Sequence, residues 1–228
     1  RPEAGLAELV LRQVTPEQAL HQARERLWLL AGGRGLAGVK REIARRDVGG
    51  ERTIQEALEE AGRYDFIILD TSPGWDSLTI AALFYAEEVL APVSLEVASL
   101  LGLVDFERSL EAVQKYQKRL RLRYVLPTFS DGRVKKTEEI LGQLRSRYGP
   151  LLCPPVRYSV RLSEAVGYGQ TVFEYAPRST GAEDYRRLIR RIEDARQKAD
   201  SGRYGRADGR SSRGSGREAS KTAYQQGS

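Results

Sequence analysis

Apolar positions along this chain fall into short continuous runs that alternate with stretches repeating at helical spacing. The clearest run lies in YDFIILDTSPGWDSLT, residues 64–79, where Phe66 to Leu69 are all apolar and stop at Asp70 and the turn formers Thr71-Ser72-Pro73-Gly74. A run so short and so apolar predicts a strand buried on both faces of a parallel sheet. Asp70 then stands at the carboxyl end of that strand, the edge where open α/β sheets hold ligands, and is a candidate ligand of magnesium or water.

Upstream, Thr15-Pro16-Glu17-Gln18 has the composition of a helix start, with a capping threonine, a proline at the first helical position and a glutamine that can reach back. It predicts a helix to about Arg26. RLWLLAGG then predicts a short strand leaving into glycines, and Thr53-Ile54-Gln55-Glu56 repeats the capping pattern before a helix ending near Gly62. Beyond Asp70 the pattern predicts a helix over 78–86, a strand over 89–93, an amphipathic helix over 103–120 and a strand over 122–126. A helix over 135–147 and a short buried segment over 151–156 follow, and a last helix over 182–198 carries Tyr185, Leu188, Ile189 and Ile192 on one stripe. Strands alternating with helices of this length predict βαβ units, hence an α/β fold with a doubly wound, mostly parallel sheet and helices on both faces.

Composition changes this picture at three points. No stretch approaches the length of a membrane-crossing helix, and RPEAGLAELV has no signal-peptide order, so a cytoplasmic protein is expected. One cysteine, Cys153, and one histidine, His21, leave no disulfide and no zinc cluster, and Cys153 is expected in the core. From Asp200 onward there is no Leu, Ile, Val or Phe, and this stretch holds six of the Lys/Arg residues and three of the Asp/Glu, half of the net charge of +6. A folded domain over 1–199 and a disordered Gly/Ser/Arg-rich tail over 200–228 are therefore expected. The absence of methionine, at position 1 and elsewhere, suggests a fragment or a processed product.

The glycines of AGGRGLAGVKRE have the spacing of a phosphate loop at Gly33 and Gly38, but the chemistry does not follow. Val39 stands where the phosphate-binding lysine belongs, and Lys40 is followed by Arg41 where Ser or Thr would hold magnesium. The stretch reads as a plain loop.

Taken in order, FIILDTSPG, VLAPVSLEVASLLGL, YVLPTFSDGR and VRLSEAVGYGQTVFEYAPRSTGAEDY resemble the ParA/Soj family of partition ATPases, of the MinD/ParA superfamily, over about residues 5–195. The corresponding family stretches are a strand ending D-x-P-P, V-L-I-P-V with a later E-G-L, L-T-M-x-D-G-R, and P-R-x-V-R-L-x-E-A followed by G-x-P-V and S-x-G-A-x-x-Y. The family's deviant Walker A loop, K-G-G-x-G-K-T, and its D-x-D-P-Q segment have no counterpart in these residues, and Arg157-Tyr158 stands in place of Pro-Arg. The resemblance implies a P-loop NTPase-like fold lacking its first strands, and the second half of an ATP site.

On that resemblance Asp70 takes the Walker B role beside magnesium and the reacting water, and Thr71 to Gly74 form the turn that senses the γ-phosphate. Thr128 and Phe129 would lie near the base, with a core role for Phe129 equally open. Arg133, from D-G-R, and Arg161, from V-R-L-x-E-A, would face DNA. The implied activity is an ATP-dependent homodimer that binds DNA nonspecifically, works with a centromere-binding ParB-like protein and sits on the nucleoid, away from any membrane. The 228 residues alone are expected to be inactive without the phosphate loop. A non-catalytic DNA-binding or assembly module and a MinD-like membrane-cycling ATPase remain as alternatives; the tail lacks the bulky apolar residues the latter needs.

Overall fold

The computed structural model describes residues 2–33, 35–59 and 64–208, with the side chains of 199, 200 and 202–208 left aside. Its contacts divide the chain into two compact units, Arg1–Tyr158 and Ser159–Ser228.

The first unit opens with α1 (Leu6–Val10) and α2 (Pro16–Ala19). α2 begins where the capping signal predicts, with the Thr15 amide donating to Gln18 Oε1 at 2.9 Å, yet it ends after one turn instead of reaching Arg26. Leu20–Arg24 form β1, which turns at Arg26 in a left-handed conformation and pairs antiparallel with β2 (Leu27–Leu30). The pairing sets Leu20 opposite Leu30 and packs both on a cluster of Ala7, Val10, Val39, Ile43, Ile54, Leu58 and Ala81. Tertiary burial overrides a local helix signal here.

The glycine stretch leads into α3 (Leu36–Arg45), and a single 3-10 turn, Gly50–Arg52, precedes α4 (Thr53–Glu59). Thr53 belongs to the helix rather than capping it, its hydroxyl donating to the Gly50 carbonyl at 2.7 Å. Gly50 is obligatory for space, since a Cβ there would stand 2.6 Å from the Ile43 carbonyl oxygen.

After α5 (Ser77–Tyr85), β3 (Glu88–Ser94), α6 (Val97–Gln114) and β4 (Arg121–Thr128) form the expected βαβ unit. β3 and β4 run parallel, from Glu88 opposite Arg121 to Ser94 opposite Thr128. Parallel bridges Val125–Leu152 and Ser130–Arg157 carry the sheet on through the expected buried segment. There the Cys153 amide donates to Val125 O at 2.8 Å and the Val156 amide to Pro127 O at 2.9 Å, and Cys153 is buried as expected. α7 (Lys135–Tyr148) lays Ile140, Leu141 and Leu144 on Ala91, Val93 and Val125. A third cluster joins Leu83, Val89, Leu110, Val113 and Leu120.

The predicted strand over Phe66–Asp70 differs from expectation. It pairs with neither sheet, and Phe66, Ile67 and Ile68 are exposed, Ile68 to 89%. A run apolar on both faces needs a neighbouring strand on each edge and a layer on each side. Only Leu69 finds cover, on the cluster around Val39 and Ile54.

The second unit comprises α8 (Val160–Gly167), α9 (Val172–Tyr175) and α10 (Thr180–Asp208). Its core holds Ala165, Val172, Ala182 and Leu188, and Gly181 admits Leu162 so closely that a Cβ would meet it at 2.9 Å. α10 continues through Asp208, ten residues past the expected end at 198. Residues 209–228 of the expected tail lie outside the described residues.

Candidate active site and nucleic-acid interface

Asp70 is placed by its neighbour. Leu69 anchors in the core cluster, and the next residue, turned outward, is an exposed carboxylate followed by the exposed hydroxyl of Thr71. Among the described residues nothing holds Asp70 to Gly74 by a hydrogen bond or an ion pair. Gly74, at φ +143°, occupies a backbone region that a side chain disfavours.

The far end of this turn is fixed. Asp76 caps α5, its Oδ1 accepting from the Leu78 and Thr79 amides at 3.0 and 2.9 Å, while Lys40 Nζ on α3 meets Oδ2 at 2.7 Å. The hydrogen bond from Lys40, then that from the Thr79 amide, holds the Asp76 carboxyl below the ordinary carboxylate range. Trp75 lies on Phe106 of α6 with ring centroids 5.4 Å apart and planes tilted by 38°. Sequence reasoning missed all three anchors. The Asp-Ser-Leu-Thr order does signal a cap at Asp76, whereas nothing in the sequence marks Lys40 as its partner or Phe106 as the partner of Trp75.

At the carboxyl edge of the β3–β4 pair, Thr128 stands half-buried opposite Ser94. Phe129 follows in the left-handed region at φ +53° and is 66% exposed, so the structure does not give it a core place. The chain then turns through Asp131 to Arg133, whose guanidinium grips the Asp131 carboxylate with two bonds, Nε–Oδ1 at 2.9 Å and NH2–Oδ2 at 2.7 Å. That grip, with the Arg133 amide on Oδ1, holds Asp131 down to about 2.

Arg161, on α8 of the second unit, pairs with Glu164 at 2.9 Å, and the Tyr175 hydroxyl donates to the same Glu164 oxygen at 3.1 Å. Tyr175 in turn stacks with Tyr168, centroids 5.3 Å apart. The two arginines singled out by sequence are thus each already partnered by a carboxylate. The structure keeps Asp70 with Thr71, and Thr128 with Phe129 and Arg133, each as a local group within the first unit. The second unit as a whole carries 14 Lys/Arg against 9 Asp/Glu, nearly the entire net charge of the chain.

Metal chemistry here would rest on few protein ligands. Among the described residues no three His, Cys, Asp or Glu cluster, and an Asp70–Thr71 oxygen pair fits magnesium only in the manner of sites that draw their remaining ligands from phosphates and water. No described helix is long and apolar enough to cross a membrane.

Comparison with known proteins gives a consistent result. Residues 3–122 match a family described as an AAA domain. The chromosome-partitioning ATPase Soj of Thermus thermophilus is 34% identical over 194 residues, covering 84% of this chain and 75% of the relative. Soj of Bacillus subtilis, a sporulation initiation inhibitor protein, is 34% identical over 163 residues, 69% of this chain and 63% of that protein. Among solved structures, cobyrinic acid a,c-diamide synthase of Mycobacterium smegmatis with bound ADP and magnesium superposes with a TM-score of 0.69 at 27% identity, covering 86% of this chain and 75% of the other. Apo McdA of Cyanothece, with a TM-score of 0.67 at 19% identity over 82% of this chain and 79% of its own, shares the fold.

Proposed function

The chain belongs to the ParA/Soj family of partition ATPases, with an α/β P-loop-type fold, and from that premise we propose that Asp70 is the carboxylate of its ATP site. The observation that supports this most directly is the placement of Asp70: one residue beyond a core-anchored leucine, exposed, and at the head of a turn that no described residue holds as far as Gly74. Magnesium, when bound with ATP, neutralises charge on the transferring phosphoryl group and orients it. The protein's share is positional. Asp70 supplies a negative oxygen donor, Thr71 a hydroxyl beside it, and the turn to Gly74 the freedom to close on a phosphate. The family's Walker A loop, K-G-G-x-G-K-T, is not among these 228 residues, and ATP turnover is proposed only for a full-length protein that carries it.

We further propose that the ATP-bound form dimerises, that Arg133 and Arg161 contact DNA phosphates without reading bases, and that a ParB-like protein bound at the centromere stimulates turnover on the nucleoid. Thr128 and Phe129 are proposed to border the base. The exposure of Phe129 at a left-handed position supports a ligand contact over a packing role. In full-length protein, Asp70→Ala should lower ATP turnover by about two orders of magnitude or more and leave the circular dichroism spectrum unchanged. Turnover within a few-fold of the parent would remove Asp70 from the mechanism.

A further inference from the structure

Two fixed points bracket the turn after Asp70, and nothing described holds the residues between them. Leu69 is packed in the core on one side. On the other, Trp75 and Asp76 are tied to two different helices: Trp75 to Phe106 on α6, Asp76 to Lys40 on α3 through a 2.7 Å ion pair. Asp76 also spends its second oxygen on the first amides of α5, so the ion pair joins the start of α5 to α3 while the ring contact joins the same point to α6. Movement that begins at Thr71 therefore meets an anchor at Trp75.

The chemistry of each anchor suits that task. The carboxylate is bonded on both oxygens, so it cannot swing without breaking a charge-assisted contact. The tryptophan is half-exposed, its ring resting on one aromatic neighbour, an arrangement that can slide where a fully enclosed side chain cannot. One anchor is rigid and one can yield. We propose that Lys40 and Trp75 are positioning residues of the ATPase: Lys40, through Asp76, fixes the carboxyl end of the 71–76 turn, and Trp75 passes the turn's position to α6. This rests on the reading of Asp70 as the carboxylate of the ATP site.

The test uses Lys40→Met, Lys40→Arg and Trp75→Leu, with Asp70→Ala measured alongside. Without nucleotide, amide exchange at Leu78 and Thr79 should quicken about tenfold in Lys40→Met and return toward the parent rate in Lys40→Arg. In full-length protein with ATP and magnesium, Lys40→Met should lower kcat about tenfold with KM within about twofold, with partial rescue in Lys40→Arg. Trp75→Leu should lower kcat in the same way and quicken exchange at the first amides of α6, residues 97–100. Parent-like kcat in Lys40→Met and Trp75→Leu beside a dead Asp70→Ala would overturn the positioning role while leaving the ATP-site reading intact. Parent-like turnover in Asp70→Ala would sink the ATP-site reading, and the exchange measurements, which need no nucleotide, would still decide whether the two anchors hold the turn. Unchanged exchange in both variants would overturn the proposal by itself.

Discussion

β4 and the run over Phe66–Asp70 share a sequence expectation and are opposites in structure. Each contains a short apolar stretch, Tyr124–Leu126 in one and Phe66–Leu69 in the other, each is followed by a turn, and each is expected as a strand. In β4, Tyr124, Val125 and Leu126 are buried, between β3 on one edge and the bridge to Leu152 on the other. In the other run Phe66, Ile67 and Ile68 face solvent, and among the described residues no strand lies alongside. The difference shows that an apolar run states a requirement for neighbours, and that neighbours alone convert it into a strand.

The comparison can be broken most sharply by hydrogen exchange on this chain. Amides of Val125 and Leu126 should be protected by about four or more orders of magnitude, as expected of core strands opening only with global unfolding, while those of Ile67 to Asp70 should exchange within about tenfold of a free chain. Comparable protection in both would mean that the 66–70 run has found a partner. Next in size are truncations: Leu126→Ala should lose about 2–5 kcal/mol in denaturant unfolding, whereas Ile68→Ala should change stability by about 0.5 kcal/mol or less. If a protein carrying the Walker A segment covers this run, Ile68→Ala there should approach the cost of Leu126→Ala, and a cost that stays small would show that the run remains uncovered.

Smaller effects test two arginines, Arg133 after β4 and Arg161 on α8. Arg133→Glu and Arg161→Glu should each weaken DNA binding alike for all sequences and flatten the salt dependence by about 0.9 in the slope of log affinity against log salt. A slope that does not change would show that Asp131 and Glu164 keep these arginines from phosphate. The smallest effect is in pH. The folded-state value of Asp131, about 2, lies below the 3.8 of a free carboxyl. Its contribution to stability is therefore complete above pH 3.8 and lost as pH falls through 2. In Arg133→Gln that carboxyl should titrate near its ordinary value by NMR.

The βαβ unit, α7 and the helix after Asp70 were legible because each completes its own pattern locally: period and boundary signals lie within the element. The failures share a cause. Leu20–Arg24 became a strand because Leu27–Leu30 offered a partner and a common core. Phe66–Leu69 joined neither of the two sheets, because its apolar pattern states what cover it needs without saying which element supplies it. At the site, Asp70 was legible from its place after an apolar run, and Arg133 and Arg161 from motif position. Their carboxylate partners at i−2 and i+3 were also in the sequence, but the pairing depends on turn and helix geometry that composition does not convey. Lys40 was beyond reach, since 36 positions separate it from Asp76.

The aromatic anchor has an optical consequence. The chain contains two tryptophans, Trp28 on the β1–β2 hairpin and Trp75 beside the Asp70 turn. Replacing Trp28 with Phe would leave a single indole emitter, half in water and half against Phe106. Its emission maximum and its quenching by iodide would then read the position of that turn directly, in real time and without a label.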